Sequence, residues 1–357
     1  MIIILAFSTL ALLLGTLVIV FYFERKIPAF IQDRMGPTEV GKFGTLQPFA
    51  DLLKLIQKED TIPGGAERNL FKMAPIMIFL AVFAGFITIP FTPIWIASGM
   101  ETGVFFALAI VSLDVVGILA AGYASNSKFS LLGSMRAIAQ IVSYEIPVGL
   151  CILAVVIVSQ SLDLREVAGQ QSAHSIVALF GIKGWEITGG GILHWNIFRM
   201  PLLLAGFVMF YIATLAECNR APFDIPEAES ELVGGFHTEY SGFRFALFFV
   251  AEYGMMLFVS VLAVILFLGG WNSPFPNVGG IKLYDWTTGN PNTIISEFWA
   301  FFWLYGKTII LLLSQVWVRW TFPRIRVDQL MYLCWKVLIP FSLLLVLACA
   351  VWRVWMI

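Results

Sequence analysis

The feature that most restricts this chain is the repeated absence of charge over lengths that cross a bilayer. No Asp, Glu, Lys or Arg occurs from Met1 to Phe23, and about 20 apolar residues rising 1.5 Å each are enough to cross the hydrocarbon. Comparable stretches recur to the end, and the expected spans are 2–23, 73–97, 103–123, 138–160, 199–216, 245–268, 298–318 and 331–352. Only 13% of the 357 residues are charged, against roughly 25% in a soluble domain, so an ordinary soluble fold is excluded. Abundant Phe and Trp with a net charge of −1 exclude a disordered chain. The expected fold is an all-α membrane protein of about eight transmembrane helices, forming a single domain over 1–357. None of the connecting stretches 24–72, 163–199, 217–244 and 269–296 is long enough to bury a core of its own.

Lys and Arg are unevenly shared between the two sets of loops. Sixteen belong to the side that holds 24–72 and five to the other, with Lys307 inside a span. The positive-inside rule then predicts a cytoplasmic basic side and both termini periplasmic. Met1–Phe23 lacks a basic start and a small-residue cleavage site, so it is expected to be retained as a span. With no targeting segment and with the long 163–199 insertion, the expected location is a bacterial cell inner membrane.

Redox chemistry on this chain is not expected. Cys151, Cys218, Cys334 and Cys349 are scattered without the close pairs of a zinc or iron–sulfur site. His174, His194 and His237 all fall in loops, and no P-loop or G-x-G-x-x-G occurs. Carboxylates, basic groups and a cavity are left to carry the chemistry. Ionisable residues inside spans are costly and mark ion paths or substrate sites more often than not. Asp114, Glu145, Glu252 and Lys307 are such residues, the alternative for each being a packing pair with a neighbouring helix. Pro147 removes the donor that would meet the carbonyl of Ser143. A loose carbonyl beside Glu145 would suit water and a proton, or it would mark an ordinary proline kink.

The segment A-E-C-N-R-A-P-F-D-I-P-E-A-E-S-E-L at Ala216–Leu232 sets five acids against Arg220, and Pro222 and Pro226 break any regular helix. If extended, Glu227, Glu229 and Glu231 would share a face. Crowding would then raise some of their pKa values, unless the segment is a solvated acidic loop. At 45–58, Leu46, Phe49, Leu53 and Ile56 repeat at helical spacing. This predicts an amphipathic surface helix, capped by Thr45 with Pro48 in its first turn. By itself it is equally an anchor or part of a site.

Several blocks together resemble the family of the H subunit of NADH:quinone oxidoreductase (respiratory complex I), called NADH dehydrogenase subunit 1 in mitochondria. They are E-R-K…Q-D-R-M-G-P at Glu24–Pro37, L-Q-P-F-A-D-L-L-K-L at Leu46–Leu55, A-S-N-S-K-F-S-L-L-G-S-M-R-A-I-A-Q-I-V-S-Y-E at Ala124–Glu145, A-E-C-N-R-A-P-F-D-I-P-E-A-E-S-E-L-V-G-G-F at Ala216–Phe236, F-A-L-F-F-V-A-E-Y at Phe245–Tyr253 and F-P-R-I-R-V-D-Q-L-M at Phe322–Met331. Thr38, Lys42 and Val327 depart from the usual Asn, Pro and Tyr. The resemblance implies a membrane-arm subunit of a proton-pumping translocase, forming a quinone chamber where the membrane and peripheral arms meet. The quinone-binding residues it implies are Glu24, Arg25, Gln32, Arg34, Phe49, Asp51, Lys54, Arg220, Phe223 and Phe249. The proton path it implies is Asp114, Glu145, Glu217, Asp224, Glu227, Glu229, Glu231 and Glu252, to which Lys307 is added as the charged residue of the seventh span. Ubiquinone or menaquinone would be the substrate, with FMN and iron–sulfur clusters on partner subunits of the peripheral arm and with neighbouring membrane-arm subunits alongside. An energy-converting hydrogenase-type complex uses a related subunit and is the alternative setting. A stand-alone proton-coupled transporter would show related halves, and no internal repeat is visible.

Overall fold

The computed structural model describes residues 2–173, 177–178, 186–187, 189–226, 229–277, 282–289 and 293–356. The chain opens with α1 (Ile2–Ile31), a helix of 30 residues that continues beyond the uncharged stretch and carries Glu24, Arg25 and Lys26 on its last turns. The surface helix α2 (Gln47–Gln57) follows, with Pro48 in its first turn. Its N-cap is Leu46, which offers no side-chain cap. Thr45 instead closes the 3-10 turn Lys42–Gly44, so the expected Thr45 cap is corrected. α3 (Arg68–Gly85) passes into a 3-10 turn at Phe86–Thr88. The stretch 73–97, expected as one span, is therefore helical only to Thr88, and beyond it the chain doubles back with Pro90 bridged to Ile96.

α4 (Gly103–Val111) and α5 (Leu113–Ala124) form one crossing interrupted at Ser112, whose hydroxyl donates back to the carbonyl of Leu108 at 2.9 Å. α6 (Lys128–Ser159) runs unbroken through Pro147. The connection to the next crossing holds α7 (Leu164–Gly169), a two-residue antiparallel pair β1 (Val177–Ala178) and β2 (Glu186–Ile187), and α8 (Asn196–Arg199). α9 (Pro201–Glu217), the one-turn α10 (Glu229–Leu232) and α11 (Gly242–Phe267) come next. α12 (Leu283–Thr288), α13 (Ile294–Thr321), α14 (Val327–Tyr332) and α15 (Ile339–Met356) complete the chain, with a π-helical turn at Leu333–Leu338 before α15.

Among the described residues, six helical stretches are long and apolar enough to cross a membrane, 68–88, 103–124, 128–159, 242–267, 294–321 and 327–355, while Pro201–Glu217 is apolar but shorter. The fold is an all-α membrane protein. α11 sits at its centre, as a helix apolar on every side must: Tyr253 to Phe267 are all buried. It packs on α3, α13, α9, α1 and α2, while α6 joins α5, α9 and α15. The far end of α11 is capped by side chains. The Gln171 amide donates to the carbonyl of Ile265 (2.9 Å) and accepts from the Gly269 amide (3.0 Å), and Asn196 donates to Leu266 (2.7 Å). The 163–199 segment, in which no motif was legible, thus closes an otherwise open helix terminus.

At the opposite end of the bundle the turn at 233–237 lies against α6, with the Ser130 hydroxyl donating to the carbonyl of Phe236 at 2.9 Å. Gly133 permits that approach. A Cβ there would stand 2.8 Å from the Gly235 Cα and 3.0 Å from the Phe236 amide, both backbone atoms that cannot swing aside. Gly133→Val should therefore destabilise the chain by about 1–3 kcal/mol, read as a lower thermal midpoint of the detergent-purified protein. The same change at Gly149, where the added atom meets nothing within 4 Å, should be tolerated.

Candidate functional site

Two groups of charges converge on the end of the bundle where α9 stops and α11 begins. The first is carboxylate-rich. Glu145 on α6 is hydrogen-bonded to the hydroxyl of Ser112 at the α4–α5 interruption. The carbonyl of Ser143 that Pro147 releases is not left loose: the buried Cys334 thiol donates to it at 3.0 Å. Asp114 follows Ser112 by two residues and joins Glu217, Cys218, Asn219 and Glu252 around a cavity of about 20 Å³, room for about one water. Asp114 Oδ1 and Glu217 Oε2 are buried without a hydrogen-bond partner among the described residues. Glu217 is within electrostatic reach of both Glu145 and Asp114.

The second group is built on irregular backbone. Past Glu217 the chain turns through Asn219 at φ 49°, a left-handed conformation that Asn adopts more readily than most residues. The Gln140 amide of α6 holds the turn at both ends, donating to the carbonyls of Ala216 (2.7 Å) and Phe223 (2.8 Å). This brings Arg220, only 3% exposed, to 3.5 Å from the Glu252 carboxylate and 4.2 Å from the centre of the Tyr253 ring. Tyr253 also contacts Phe21 of α1 edge-on. One turn further along α1, Glu24 accepts from Arg319 of α13 at 2.5 Å. Beyond it, Arg25 pairs with Asp51 of α2 at 2.6 Å, and Gln47 also donates to Asp51.

Interacting groups thus run from Glu24–Arg319 through Tyr253 and Arg220–Glu252 to the cavity, where Glu217 is within electrostatic reach of Glu145, while the Arg25–Asp51 pair stands on the next residue of α1. Other expected site residues stand apart from these. Gln32 and Arg34 are exposed and hydrogen-bonded to each other. Lys54 lies on a shallow outer face of α2 with Leu53 and Gln57. Phe49 is exposed on α2, Phe223 is buried against Tyr144, and Phe249 packs on Phe245 and His237. Asp224 belongs to the same irregular segment as Arg220.

Lys307 is at the other end of the bundle, where Nζ donates to the carbonyls of Leu268 (2.7 Å) and Asn272 (2.8 Å) and lies 4.5 Å from the Trp195 ring centre. There it meets the C-terminus of α11, where a cation is electrostatically favoured. Glu227 and His174 lie outside the described residues. Glu229 and Glu231 are in the helical turn α10, so the extended alternation does not apply to them. Glu231 pairs with Arg136 at 2.7 Å, and that hydrogen bond holds its carboxyl below the ordinary range. The expected rise through crowding is corrected for this residue.

Arg319, Tyr253, Ser112 and Gln140 were missed as site residues. Tyr253 and Gln140 stand inside the quoted blocks, and Ser112 is two residues from Asp114. Nothing about Arg319 in the linear sequence separates it from the other basic residues of its loop.

The NADH dehydrogenase family model matches residues 3–350. The chain belongs to the NADH dehydrogenase family. It is 57% identical over 356 residues to a NADH-quinone oxidoreductase H subunit of Cytophaga hutchinsonii, covering 97% of this chain and 98% of that one. It is 48% identical to the corresponding H subunit of Chlorobium luteolum, covering 94% of this chain and 84% of the relative. For the H subunit of Neisseria meningitidis serogroup C the identity is 43%, with coverage of 93% and 85%. The family resemblance carried by the sequence blocks is thereby shown, and the chain is a multi-pass membrane protein homologous to a complex I membrane subunit.

Two outcomes follow from this geometry. Gln140→Leu leaves the Ala216 and Phe223 carbonyls without their donor. It should cost about 1–3 kcal/mol and speed proteolytic cleavage in 218–226 of the purified protein. Glu231 has a depressed folded pKa, so its pairing with Arg136 is in place above the ordinary Glu range and is lost only as pH falls through that lower value. Glu231→Gln should therefore leave the shape of the activity–pH profile unchanged between about pH 5 and 8.

Proposed function

We propose that this chain forms part of the quinone chamber of a proton-pumping NADH:quinone oxidoreductase and passes the electrostatic consequence of quinone reduction to a buried line of carboxylates. The observation that supports this reading is the succession of groups from Glu24–Arg319 through Arg220–Glu252 to the cavity shared by Asp114, Glu217 and Glu252, with the Arg25–Asp51 pair beside the surface helix on the next residue of α1.

The two ends of the line have different tasks. The cavity is far smaller than the several hundred Å³ of a typical ligand pocket, so the headgroup belongs nearer α2 and the irregular segment, with partner subunits closing the chamber. Phe49, Leu53 and Ile56 of α2 are each more than half exposed and offer an apolar track for an isoprenoid tail. Glu24, Arg25, Asp51 and Arg220 frame the polar side, and Phe223 and Phe249 supply further apolar surface. Gln32, Arg34 and Lys54 serve at the mouth. Reduction of a quinone consumes two protons, and transient negative charge on it repels neighbouring carboxylates. Arg220, between Glu252 and Tyr253, is the group through which that change reaches Glu217, Asp114 and Glu145. Asp224, Glu227 and Glu229 supply protons from the loop side. Glu231 is an anchor to Arg136 in this reading, and Lys307 is a helix cap outside the path.

Electron carriers, FMN and iron–sulfur clusters, sit on partner subunits, and the substrate is ubiquinone or menaquinone. The basic loops face the cytoplasm and both termini the periplasm of a bacterial inner membrane.

Inverted membrane vesicles test the reading. Arg25→Ala and Asp51→Asn should each lower NADH-driven quinone reduction by tenfold or more, about 1.4 kcal/mol or more of lost stabilisation, while NADH oxidation by an artificial acceptor is kept. Glu217→Gln should lose proton uptake. Unchanged quinone reduction and pumping in all three would remove this chain from the chamber.

A further inference from the structure

Packing does little to hold the surface helix α2 in place. Of its 11 residues only Pro48 is buried, while Phe49, Leu53 and Ile56 are each more than half exposed. A helix this short is marginal by itself in water, so its position has to be set at its ends. Its first half is tied to α1 by the Arg25–Asp51 pair.

Its far end meets the start of α11. The chain leaves α2 in extended conformation at Lys58 and passes against Gly242, whose φ is +60° and where a Cβ would stand 2.9 Å from the Lys58 carbonyl oxygen. The Ser241 hydroxyl donates to the Glu59 carbonyl at 3.2 Å and accepts from the Thr61 amide at 3.0 Å. Between those two residues stands Asp60, and Arg244 reaches it at 2.8 Å. The Arg244 side chain is 16% exposed. Its guanidinium lies 5.7 Å from the centre of the Phe71 ring of α3, which itself stacks on Tyr240. Arg244 is in the first turn of α11, where a cation opposes the helix dipole. It therefore does nothing for α11 by its charge, and what the charge holds is the segment that follows α2.

We propose that Arg244 is a positioning residue that, with Asp60, fixes the end of α2 against α11, as Arg25 with Asp51 fixes its first half against α1. About two turns beyond Arg244, α11 carries Glu252 and Tyr253, and α1 carries Glu24 beside Arg25. The two ties thus hold the exposed apolar face of α2 in register with the groups around Arg220. The consequence for turnover rests on the quinone reading given above: an α2 released at one end captures quinone less well, while the groups that surround its headgroup are unaltered.

A distance measurement on the assembled complex tests the tie without reference to activity. Cys151, Cys218, Cys334 and Cys349 are buried, so spin labels go to cysteines introduced at Gln57 of α2 and Leu132 of α6, both exposed. With Asp60 and Arg244 in place, pulsed electron resonance should give one narrow distance distribution. Asp60→Asn and Arg244→Gln should each broaden it, and Arg244→Lys, which keeps the charge, should not. In the unlabelled variants the KM for quinone should rise roughly threefold, with kcat within about twofold of the unaltered protein. A merely structural pair would lower the amount of assembled complex, or kcat and kcat/KM together. A distribution that stays narrow in both Asp60→Asn and Arg244→Gln, or one as broad with Lys as with Gln, would overturn the tie. Broadening with no change in KM would leave the tie standing and overturn the quinone role given to α2.

Discussion

A charge inside an apolar helix bundle must be answered by another group, and the bundle end around Arg220 is organised by that requirement. Arg220 is almost wholly buried, loosely paired with Glu252 and seated over the face of Tyr253. Removing either side of such a pair leaves an uncompensated buried charge, which costs several kcal/mol. Fixing the guanidinium there also fixes the backbone that carries it. The irregular 218–226 segment is held by Gln140 on one side, while the Ile325 amide donates to the carbonyl of Pro222 and Arg324 to that of Ile225 on the other. An interrupted chain is tolerated at this depth because its carbonyls find donors within the protein.

Inside the bundle the Arg220–Glu252 contact is 3.5 Å. Glu252 lines the small cavity together with Glu217 and Asp114. At the outer end the pairs are shorter, 2.5 Å for Glu24–Arg319 and 2.6 Å for Arg25–Asp51, and they tie α1, α2 and α13 into one frame. The opposite end of the bundle is built otherwise: Lys307, Gln171 and Asn196 give their donors to backbone carbonyls at or just beyond the end of α11.

Much of the architecture was legible because the bilayer imposes one rule, uncharged length, that a sequence states directly. Helix ends were less so. α3 ends by Thr88 although the uncharged run continues, because Pro90 and Pro93 stop the helix and lack of charge does not maintain it. The acids inside spans were visible as exceptions to that same rule. Their partners were not: Ser112, Gln140 and Arg319 meet Glu145, the irregular turn and Glu24 only through the packing of distant elements. Lys307 shows the converse limit, since a cation in mid-span is visible in the sequence but the helix terminus whose carbonyls it meets is not. Glu231 shows another, because Arg136, not the neighbouring acids, sets its proton affinity.

The central claim is that Glu252 and Glu145, with Glu217 on the cavity between them in electrostatic reach, act as one path. The most direct measurement is a double-substitution cycle on protons translocated per NADH oxidised, comparing Glu145→Gln, Glu252→Gln and both together in sealed vesicles. One path predicts that the double variant is no worse than the more impaired single variant. Losses that simply add, or undiminished translocation in the double variant, would contradict it.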